Sequence, residues 1–408
     1  MAQNVAIIGA GYAGLSAAVA LTQRGIRCTV FESGPVPGGR ARRVTTGGRT
    51  LDNGQHILIG AYTALLGMMR TVGADPATLL LRRPLELRYA HGFRLRTPAL
   101  PAPLHLAVGM MTASGLGWGE RFGAVLFMQQ MKRKRFRVED HVSVATLLEA
   151  HSQAGTIGRY LWFPLCISAL NTLPQFASAN AFLAVLRDSL GGPRSASELL
   201  IPRVDLTALF PEPAAKWLEV HGGEVRCGSP VRDLSVLSKE FDSIIVAVGP
   251  HQLEPLLQGI ADDFTYQPIY TIYLKFPAKV KLHLPMLGLA EGVAQWVFDR
   301  GQLGGEAGLF ACVISAQGDH QQMTHDELTA TCHRELSAAL GQLPKPEWTQ
   351  VIAEKRATVT CTPGCARPGP RTALANVLLA GDYTDPEYPP TLEAAVLSGI
   401  RAAGLIDG

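Results

Sequence analysis

Charged residues are scarce in this chain. Asp, Glu, Lys and Arg make up 17% of its 408 residues, below the ~25% typical of globular proteins. The formal net charge of +3 argues against a nucleic-acid partner. Apolar residues reach 47%, which excludes intrinsic disorder, and the length of 408 residues indicates two or three domains with cores of their own. The same composition leaves a close relationship with a membrane open.

Cysteines are also few. The seven are odd in number and widely spaced apart from Cys361 and Cys365, and no second pair lies nearby to complete a zinc site. We therefore expect no metal site and no disulfide framework, but the reduced, buried thiols of a cytoplasmic protein. No basic region precedes the first apolar run, so a signal peptide is not indicated. The sequence also shows no Ser-His-Asp nucleophile elbow, which argues against a hydrolase.

The first forty residues carry a dinucleotide-binding pattern. Residues 5–8 predict a buried strand, GAGYAG at residues 9–14 predicts a tight turn into a helix, and a second strand ends at Glu32. In such a unit Gly11 lets the backbone approach a diphosphate, and Gly14 allows the helix to pack closely on the strand. The acidic side chain of Glu32 would accept hydrogen bonds from a ribose and repel a 2′-phosphate, which argues against NADP.

Two further motifs favour FAD over NAD. PGGRAR at residues 37–42 resembles the flavin-binding fold shared by amine oxidases, phytoene desaturases and protoporphyrinogen oxidases. Near the other terminus, an apolar strand followed by Gly-Asp at residues 376–382 precedes a helix predicted over 391–399. In the resembled superfamily, Arg40 reaches the diphosphate and the closing unit holds the ribityl chain. The expected cofactor is non-covalent FAD, and its expected ligands are Gly9, Gly11, Ala13, Gly14, Glu32, Ser33, Gly39, Arg40, Val231, Gly381, Asp382 and Thr391.

The expected fold class is α/β, with a Rossmann-like FAD-binding domain and an α+β substrate domain of mixed or antiparallel sheet and helices. The FAD-binding domain is assigned to residues 1–80, 201–255 and 351–408. The substrate domain is assigned to residues 81–200 and 256–350.

Within the FAD-binding domain, short strands are predicted at residues 224–227, 230–234 and 242–248. The resemblance would place Val231 beside the adenine, although core packing is equally consistent with it. In the substrate domain, strands at 270–276, 294–299 and 309–315 and a helix over 326–340 indicate an antiparallel sheet backed by helices.

Residues 99–137 are unusually apolar and end in a basic cluster. Prolines and glycines interrupt the uncharged stretch 99–119, so it is a poor candidate for a transmembrane helix, which needs about 20 predominantly apolar residues. A second apolar stretch, 122–131, leads into KRKRFR at 132–137. Apolar surface beside cations is typical of a peripheral contact with anionic lipid, here expected at the inner face of the cell membrane. The alternative is a buried helical hairpin that lines an apolar pocket, and both could hold.

Four motifs together resemble one branch of the superfamily. They are LDNGQH at 51–56, LWFPLC at 161–166, LIPRVDL at 200–206 and GDYT at 381–384. With the glycine fingerprint they resemble the hydroxysqualene dehydroxylases, also called squalene-associated FAD-dependent desaturases, of bacterial hopanoid synthesis. The resemblance implies that reduced FAD converts hydroxysqualene, an allylic alcohol, into squalene with loss of water. It also implies a functional association with other squalene-pathway enzymes.

Asp52 and His56 are the candidate proton donors, because an allylic alcohol ionises once its oxygen is protonated. The alternative is that Asp52 caps a turn and His56 hydrogen-bonds the flavin or the backbone. Two other functions remain open: an oxidative carotenoid-type desaturase or amine oxidase, and a non-catalytic flavin- or lipid-binding protein. The residues expected to contact substrate, with core packing as the competing role for the aromatic rings, are Trp162, Phe163, Trp296, Phe298 and Tyr383.

Overall fold

Two sheets of different kinds organise the chain. The structure is a computed structural model that describes residues 3–260, 264–290, 292–385 and 387–406. Its strands are β1 (Asn4–Ile8), β2 (Arg27–Phe31), β3 (Arg43–Thr46), β4 (Arg49–Asp52), β5 (Leu58–Ile59), β6 (Leu80–Arg83), β7 (Glu86–Arg88), β8 (Arg94–Arg96), β9 (Leu199–Pro202), β10 (Glu224–Arg226), β11 (Ser243–Val246), β12 (Tyr266–Lys275), β13 (Met286–Gly288), β14 (Trp296–Asp299), β15 (Leu309–Ser315), β16 (Trp348–Val359) and β17 (Val377–Leu379). Its α-helices are α1 (Tyr12–Thr22), α2 (Thr63–Thr71), α3 (Pro76–Leu79), α4 (Leu104–Met111), α5 (Trp118–Arg133), α6 (Val144–Ala150), α7 (Phe163–Leu170), α8 (Ala179–Ser189), α9 (Leu206–Leu209), α10 (Pro211–Val220), α11 (Leu234–Leu237), α12 (His325–Leu340) and α13 (Leu392–Gly404).

The first sheet is parallel, in the order β10–β2–β1–β11–β17. Val5, Ala6 and Ile7 of the central strand are fully buried, as a strand covered on both faces requires. Helices α1, α10 and α13 pack on the face that carries Val5 and Ile7, and α11 packs on the opposite face. This architecture confirms the expected α/β class with a Rossmann-like sheet.

The second sheet is antiparallel, in the order β13–β14–β15–β12–β16. Helix α12 covers one face, where Leu328 packs in the same cluster as Ile272 and Val297. The other face carries Trp296 and Phe298 and packs against a helical layer formed by α5 to α8. The prediction of an antiparallel sheet backed by helices is therefore confirmed.

Two local expectations differ from the structure. Residues 230–234 do not form a strand, because Asp233 caps a helix instead: its carboxylate accepts a hydrogen bond from the Ser235 N–H at 2.8 Å, and α11 follows. Strand β16 crosses the expected domain boundary at residue 351, because it pairs with β12 along its length. The first nine residues of segment 351–408 thus lie in the antiparallel sheet, and the division into two domains stays a prediction.

The apolar segment 99–137 folds into α4 and α5, which pack against each other. Phe127 and Met131 of α5 are buried in the helical layer, so the hairpin has an inner, core-facing side. Its outer side is apolar and exposed, and Trp118 is 64% accessible to solvent. No helix among the described residues combines the length and apolar character needed to cross a bilayer. The large apolar side chains exposed on the hairpin and just before it are Leu100, Leu104, Val108, Trp118, Phe122 and Leu126.

Candidate active site

A cavity of about 800 Å³ lies where the carboxyl ends of β1, β2, β11 and β17 meet the antiparallel sheet. Ligands of open parallel sheets bind outside this edge. No residue of the hairpin segment 99–137 lines the cavity, so the pocket-lining alternative for that segment is not supported. The predicted site residues that line the cavity are Gly9, Gly11, Ala13, Glu32, Ser33, Gly39, Arg40, His56, Val231, Trp296, Phe298, Gly381, Asp382 and Thr391.

The glycine-rich turn between β1 and α1 leaves space beside the cavity. Gly9 has a φ of +107°, and a Cβ on it would lie 2.7 Å from the Ala247 carbonyl oxygen. A Cβ on Gly14 would lie 1.9 Å from the Gly9 oxygen, so Gly14 serves helix–strand packing and does not line the cavity. A Cβ on Gly11 would meet nothing nearer than 3.9 Å. The backbone at the N-terminus of α1 is therefore open to a diphosphate, as the fingerprint predicted.

Glu32 presents its carboxylate at the end of β2. Its Oε2 accepts a hydrogen bond from the Ala10 N–H at 2.9 Å, and its Oε1 accepts one from the Gly34 N–H at 2.7 Å. These two backbone donors fix the carboxylate at the cavity wall, beside Ser33 and Val231. The arrangement fits the ribose of an adenosine group.

Arg40 and Asp382 come from opposite ends of the chain and form an ion pair in the cavity wall. The Arg40 Nη2 lies 2.7 Å from Asp382 Oδ1, and Nη1 donates to the Ala357 carbonyl at 2.8 Å. Close by, Thr391 caps α13 by accepting a hydrogen bond from the Ala394 N–H. Two helix N-termini, of α1 and α13, therefore border one cavity, and these residues fit FAD with its two phosphates.

Part of the cavity lining, termed the apolar wall, consists of apolar side chains, and polar residues such as Ser168, Asn171 and Ser315 line the cavity as well. Every second residue at the cavity end of β14 and β15 lines it, as the alternation of side chains along a strand requires, and β12 adds Ile269. The Trp296 indole N–H donates to Ser168 Oγ at 3.1 Å, which leaves the ring to form part of the surface. The apolar residues of this wall are Ile57, Ala169, Ile269, Trp296, Phe298 and Val313.

Asp52 does not line the cavity and is only 3% exposed. Its Oδ1 accepts a hydrogen bond from the Leu206 N–H at 2.8 Å, and its Oδ2 lies 3.6 Å from Arg300 Nη2. Burial raises the pKa of Asp52 to about 6, although Arg300 and the Leu206 N–H oppose the shift. This environment favours a structural role for Asp52, which holds Leu206 and Arg300 in place, over the role of proton donor.

His56 does line the cavity, so it is the candidate donor that the structure keeps in reach of a ligand. Its Nδ1 lies 3.3 Å from the Gly54 carbonyl oxygen. Burial is the main cause that lowers the pKa of His56 below its ordinary value, and nearby Arg40 lowers it further. The ring is therefore mostly neutral at pH 7.

Three aromatic residues expected at the substrate are packing residues instead. Trp162 is buried in the helical layer, where its indole N–H donates to Gln153 Oε1 at 3.0 Å, and Phe163 packs beside it. Tyr383 is fully buried beneath Gly381, since a Cβ on that glycine would lie 2.3 Å from the tyrosine ring. Large aromatic side chains are commonly buried in protein cores.

Among the polar residues of the cavity wall that the sequence analysis did not single out are Asn53, Gln55 and Glu354. Asn53 donates from Nδ2 to the Arg40 carbonyl at 3.0 Å and to Glu354 Oε2 at 2.9 Å. Gln55 accepts a hydrogen bond from Arg300. Asn53 and Gln55 belong to the LDNGQH motif, so the motif was the available signal. Glu354 lies on β16, where the sequence offered none.

Comparisons with known proteins agree with this geometry. A family model described as flavin containing amine oxidoreductase matches residues 12–407. A hydroxysqualene dehydroxylase of Sinorhizobium fredii is 29% identical, over 99% of this chain and 98% of the relative. A 15-cis-phytoene desaturase of Synechococcus elongatus is 23% identical over 99% and 95% of the two chains. The structure of an oxidoreductase from Methanosarcina mazei superposes with a TM-score of 0.76 at 14% identity, covering 98% of this chain and 100% of the other.

Proposed function

This chain belongs to the family of flavin containing amine oxidoreductases, and on that premise we propose that it reduces hydroxysqualene to squalene. It is an FAD-dependent oxidoreductase. The observation that carries the choice of substrate is one cavity that joins a diphosphate-binding turn to an apolar wall. A thirty-carbon isoprenoid matches such a wall, and a small polar amine does not. The full-length likeness to a hydroxysqualene dehydroxylase supports the same choice.

The chain's own residues would hold the cofactor at both ends of its diphosphate. The N-terminus of α1 with Gly11 and that of α13 with Thr391 would bind the phosphates, and Glu32 would bind the adenosine ribose. In the Arg40–Asp382 pair, Arg40 would contact the diphosphate and Asp382 the ribityl chain. When bound and reduced, FAD supplies the hydride that replaces the hydroxyl group, which leaves as water.

The apolar wall would protect the allylic cation that forms as the hydroxyl leaves. Trp296, Phe298 and Val313 exclude water from it, and the face of the Trp296 ring attracts a cation. We assign the protonation of the departing hydroxyl oxygen to His56. This residue lines the cavity, and the other candidate donor, Asp52, does not. The lowered pKa of His56 implies that turnover rises as the pH falls toward that pKa.

The proposed activity is tested by mass spectrometry of lipids. The FAD-loaded protein is incubated without oxygen with hydroxysqualene and a flavin reductant, and separately, in its oxidised form, with phytoene. We expect squalene from the first incubation and unchanged phytoene in the second. Desaturated phytoene with intact hydroxysqualene would instead identify a carotenoid-type desaturase. A bound flavin that reacts with neither lipid would indicate a non-catalytic protein.

The outer side of the α4–α5 hairpin is the proposed contact with a membrane. On α5, Trp118, Phe122 and Leu126 are exposed at intervals of four residues, so they lie along one face. Residues 132–135 are exposed cations at the end of the same helix, where they would meet anionic headgroups. We propose that this surface rests in the outer part of an anionic leaflet. It would give a lipid substrate a route to the enzyme and favour association with the enzymes that make hydroxysqualene and use squalene.

Vesicle co-sedimentation tests the membrane contact. Wild-type protein should sediment with phosphatidylglycerol-containing vesicles at low salt, and much less with neutral vesicles. The double variant Phe122→Glu/Leu126→Glu should bind at least ~10-fold more weakly, because burying a charge in the leaflet is costly. Val220→Glu/Val236→Glu changes two exposed apolar residues outside the hairpin and should bind like wild type. Equal binding by the two double variants would rule the surface out.

A further inference from the structure

A β-bulge in β16 brings an arginine to the cofactor cavity. The pairing of β12 with β16 shifts register between Gln267 and Ile269, so Pro268 alone stands opposite residues 355–357. Strand β12 lies inside its sheet, between β15 and β16, and a proline there has no N–H to donate to the neighbouring strand. Bulges redirect side chains and are common beside active sites. Arg356, at the centre of this bulge, lines the cavity.

The bulge lies beside the turn that is expected to hold the diphosphate. The Ala357 carbonyl, which belongs to the bulge, accepts a hydrogen bond from Arg40 Nη1 at 2.8 Å. The residue before Arg40 is Gly39, and a Cβ on Gly39 would lie 3.3 Å from the Gly11 Cα. The bulge of Arg356, the side chain of Arg40 and the glycine turn are therefore neighbours around one part of the cavity.

A histidine in the cavity lining also places the two arginines close together. His251 lines the cavity. Burial is the main cause that lowers the pKa of His251 below its ordinary value, and the positive charges of Arg356 and Arg40 lower it further. Because Coulomb interactions weaken with distance, both guanidinium groups lie near this ring. This part of the cavity is thus electropositive.

Arg356 is the arginine of this region without a counter-ion. It is exposed, and its side chain makes no ion pair or hydrogen bond with any residue that the structure describes. The nearby carboxylates have other partners. Asp382 pairs with Arg40 at 2.7 Å, and Glu354 accepts hydrogen bonds from Asn53 Nδ2 at 2.9 Å and from the backbone N–H of Arg356 at 3.3 Å. An accessible guanidinium beside a cavity fits an anionic ligand, and its planar fork matches two phosphate oxygens.

We propose that the guanidinium group of Arg356 binds the diphosphate of FAD, as a second arginine beside Arg40. The inference rests on the proposed placement of FAD in this cavity, and not on the identity of the lipid substrate. Arg40 shares its charge with Asp382, whereas Arg356 offers the diphosphate a positive charge that no carboxylate neutralises. Loss of this charge should weaken the binding of FAD and leave the surroundings of the flavin ring unchanged.

Retention of FAD by the holoenzyme tests this role. The holoenzyme is diluted serially, and the fluorescence of released FAD gives the dissociation constant. Arg356→Gln should raise this constant about 10- to 100-fold, as for the loss of a hydrogen bond between charged groups. Added salt should weaken FAD binding less in the variant than in wild type, because salt screens the interaction between an exposed cation and its anion.

Two further variants serve as controls. Lys355→Gln removes the neighbouring positive charge, which is exposed but does not line the cavity, and should retain FAD like wild type. Arg356→Lys keeps the charge but loses the planar fork, so its dissociation constant should lie between those of wild type and Arg356→Gln. This variant also keeps the test usable if Arg356→Gln does not fold.

The flavin spectrum and midpoint potential distinguish the diphosphate from the flavin ring. Both should be the same in wild type and Arg356→Gln, because the ribityl chain separates the ring from the diphosphate. A lower midpoint potential in the variant would place the guanidinium group at the ring and overturn the inference. Equal FAD retention by Arg356→Gln and Lys355→Gln would also overturn it, since Arg356 would then be a solvated surface residue.

The inference and the proposed reaction can fail separately. If the wild-type enzyme forms squalene while Arg356→Gln retains FAD like Lys355→Gln, the inference alone is overturned. If FAD retention depends on Arg356 but the wild-type enzyme forms no squalene, the contact with the diphosphate is supported and the proposed reaction is overturned.

Discussion

Among single residues, Asp52 shows what a motif can and cannot predict. The LDNGQH sequence correctly drew attention to a polar segment at the cavity, since three of its neighbours, Asn53, Gln55 and His56, line it. It could not show that Asp52 turns toward Leu206 and Arg300. Side chains alternate direction along a strand, and which side faces the ligand depends on partners more than 150 residues away. The glycines were predictable because backbone conformation alone required them.

The buried carboxylate of Asp52 makes stability depend on pH. Its pKa is about 6 in the folded chain, against 3.8 for the ordinary side chain. Between about pH 4 and pH 6 the unfolded state loses this proton first, so the stabilising contribution present at pH 4 is lost as the pH rises through 6. The two values differ by roughly two pKa units, which corresponds to about 3 kcal/mol.

The variant Asp52→Asn should remove this component. Wild type should lose unfolding free energy between pH 4 and pH 7, and the variant should lose about 2 kcal/mol less, because the unfolded carboxyl is already partly ionised at pH 4. Denaturant unfolding of the FAD-loaded protein at each pH measures it. Asp326→Asn, in the exposed first turn of α12, controls for the loss of one carboxylate. Identical pH profiles for wild type and Asp52→Asn would contradict the argument.

Whole helices and strands were predictable wherever the signal was local. Strands β1 and β17 are continuous apolar runs followed by glycine, and α13 begins at the capping residue Thr391, so periodicity and capping sufficed. The strand expected at 230–234 was wrong because a capping aspartate within it outweighed two apolar residues. The alternative prediction of a buried α4–α5 hairpin holds only for its inner side. Burial of that side depends on contacts with α6 to α8, which the residue pattern of α5 cannot reveal.

Across the whole molecule, the two ends of the chain are packed into one cofactor site. Helix α13 lies against α1, and Arg24 donates hydrogen bonds to the Ala403 and Ile406 carbonyls near the C-terminus. The Arg40–Asp382 ion pair joins the same two regions. The cavity therefore exists only when the first and last segments are assembled. The sequence predicted that both segments bind FAD, but not how closely their helices approach each other.

Gly399 marks the point of closest approach between those helices. A Cβ on it would lie 2.1 Å from the Ala13 carbonyl oxygen and 3.0 Å from the Ala17 nitrogen, and both are backbone atoms that cannot swing aside. Gly399→Ala should therefore push α13 away from α1, lower the unfolding free energy by about 1–3 kcal/mol and weaken retention of FAD, because both helix N-termini border the cofactor cavity. Thermal unfolding and flavin content after gel filtration measure the two effects.

The control for this prediction lies on the same helix. A Cβ on Gly404 would meet no atom within 4 Å, so Gly404→Ala should leave FAD retention unchanged and stability equal or higher by up to about 1 kcal/mol, as alanine is the better helix former. If Gly399→Ala behaves like Gly404→Ala, close contact between the two ends of the chain does not hold the cofactor site together. If only Gly399→Ala loses flavin, the affinity for FAD depends on the same helix contact that closes the fold.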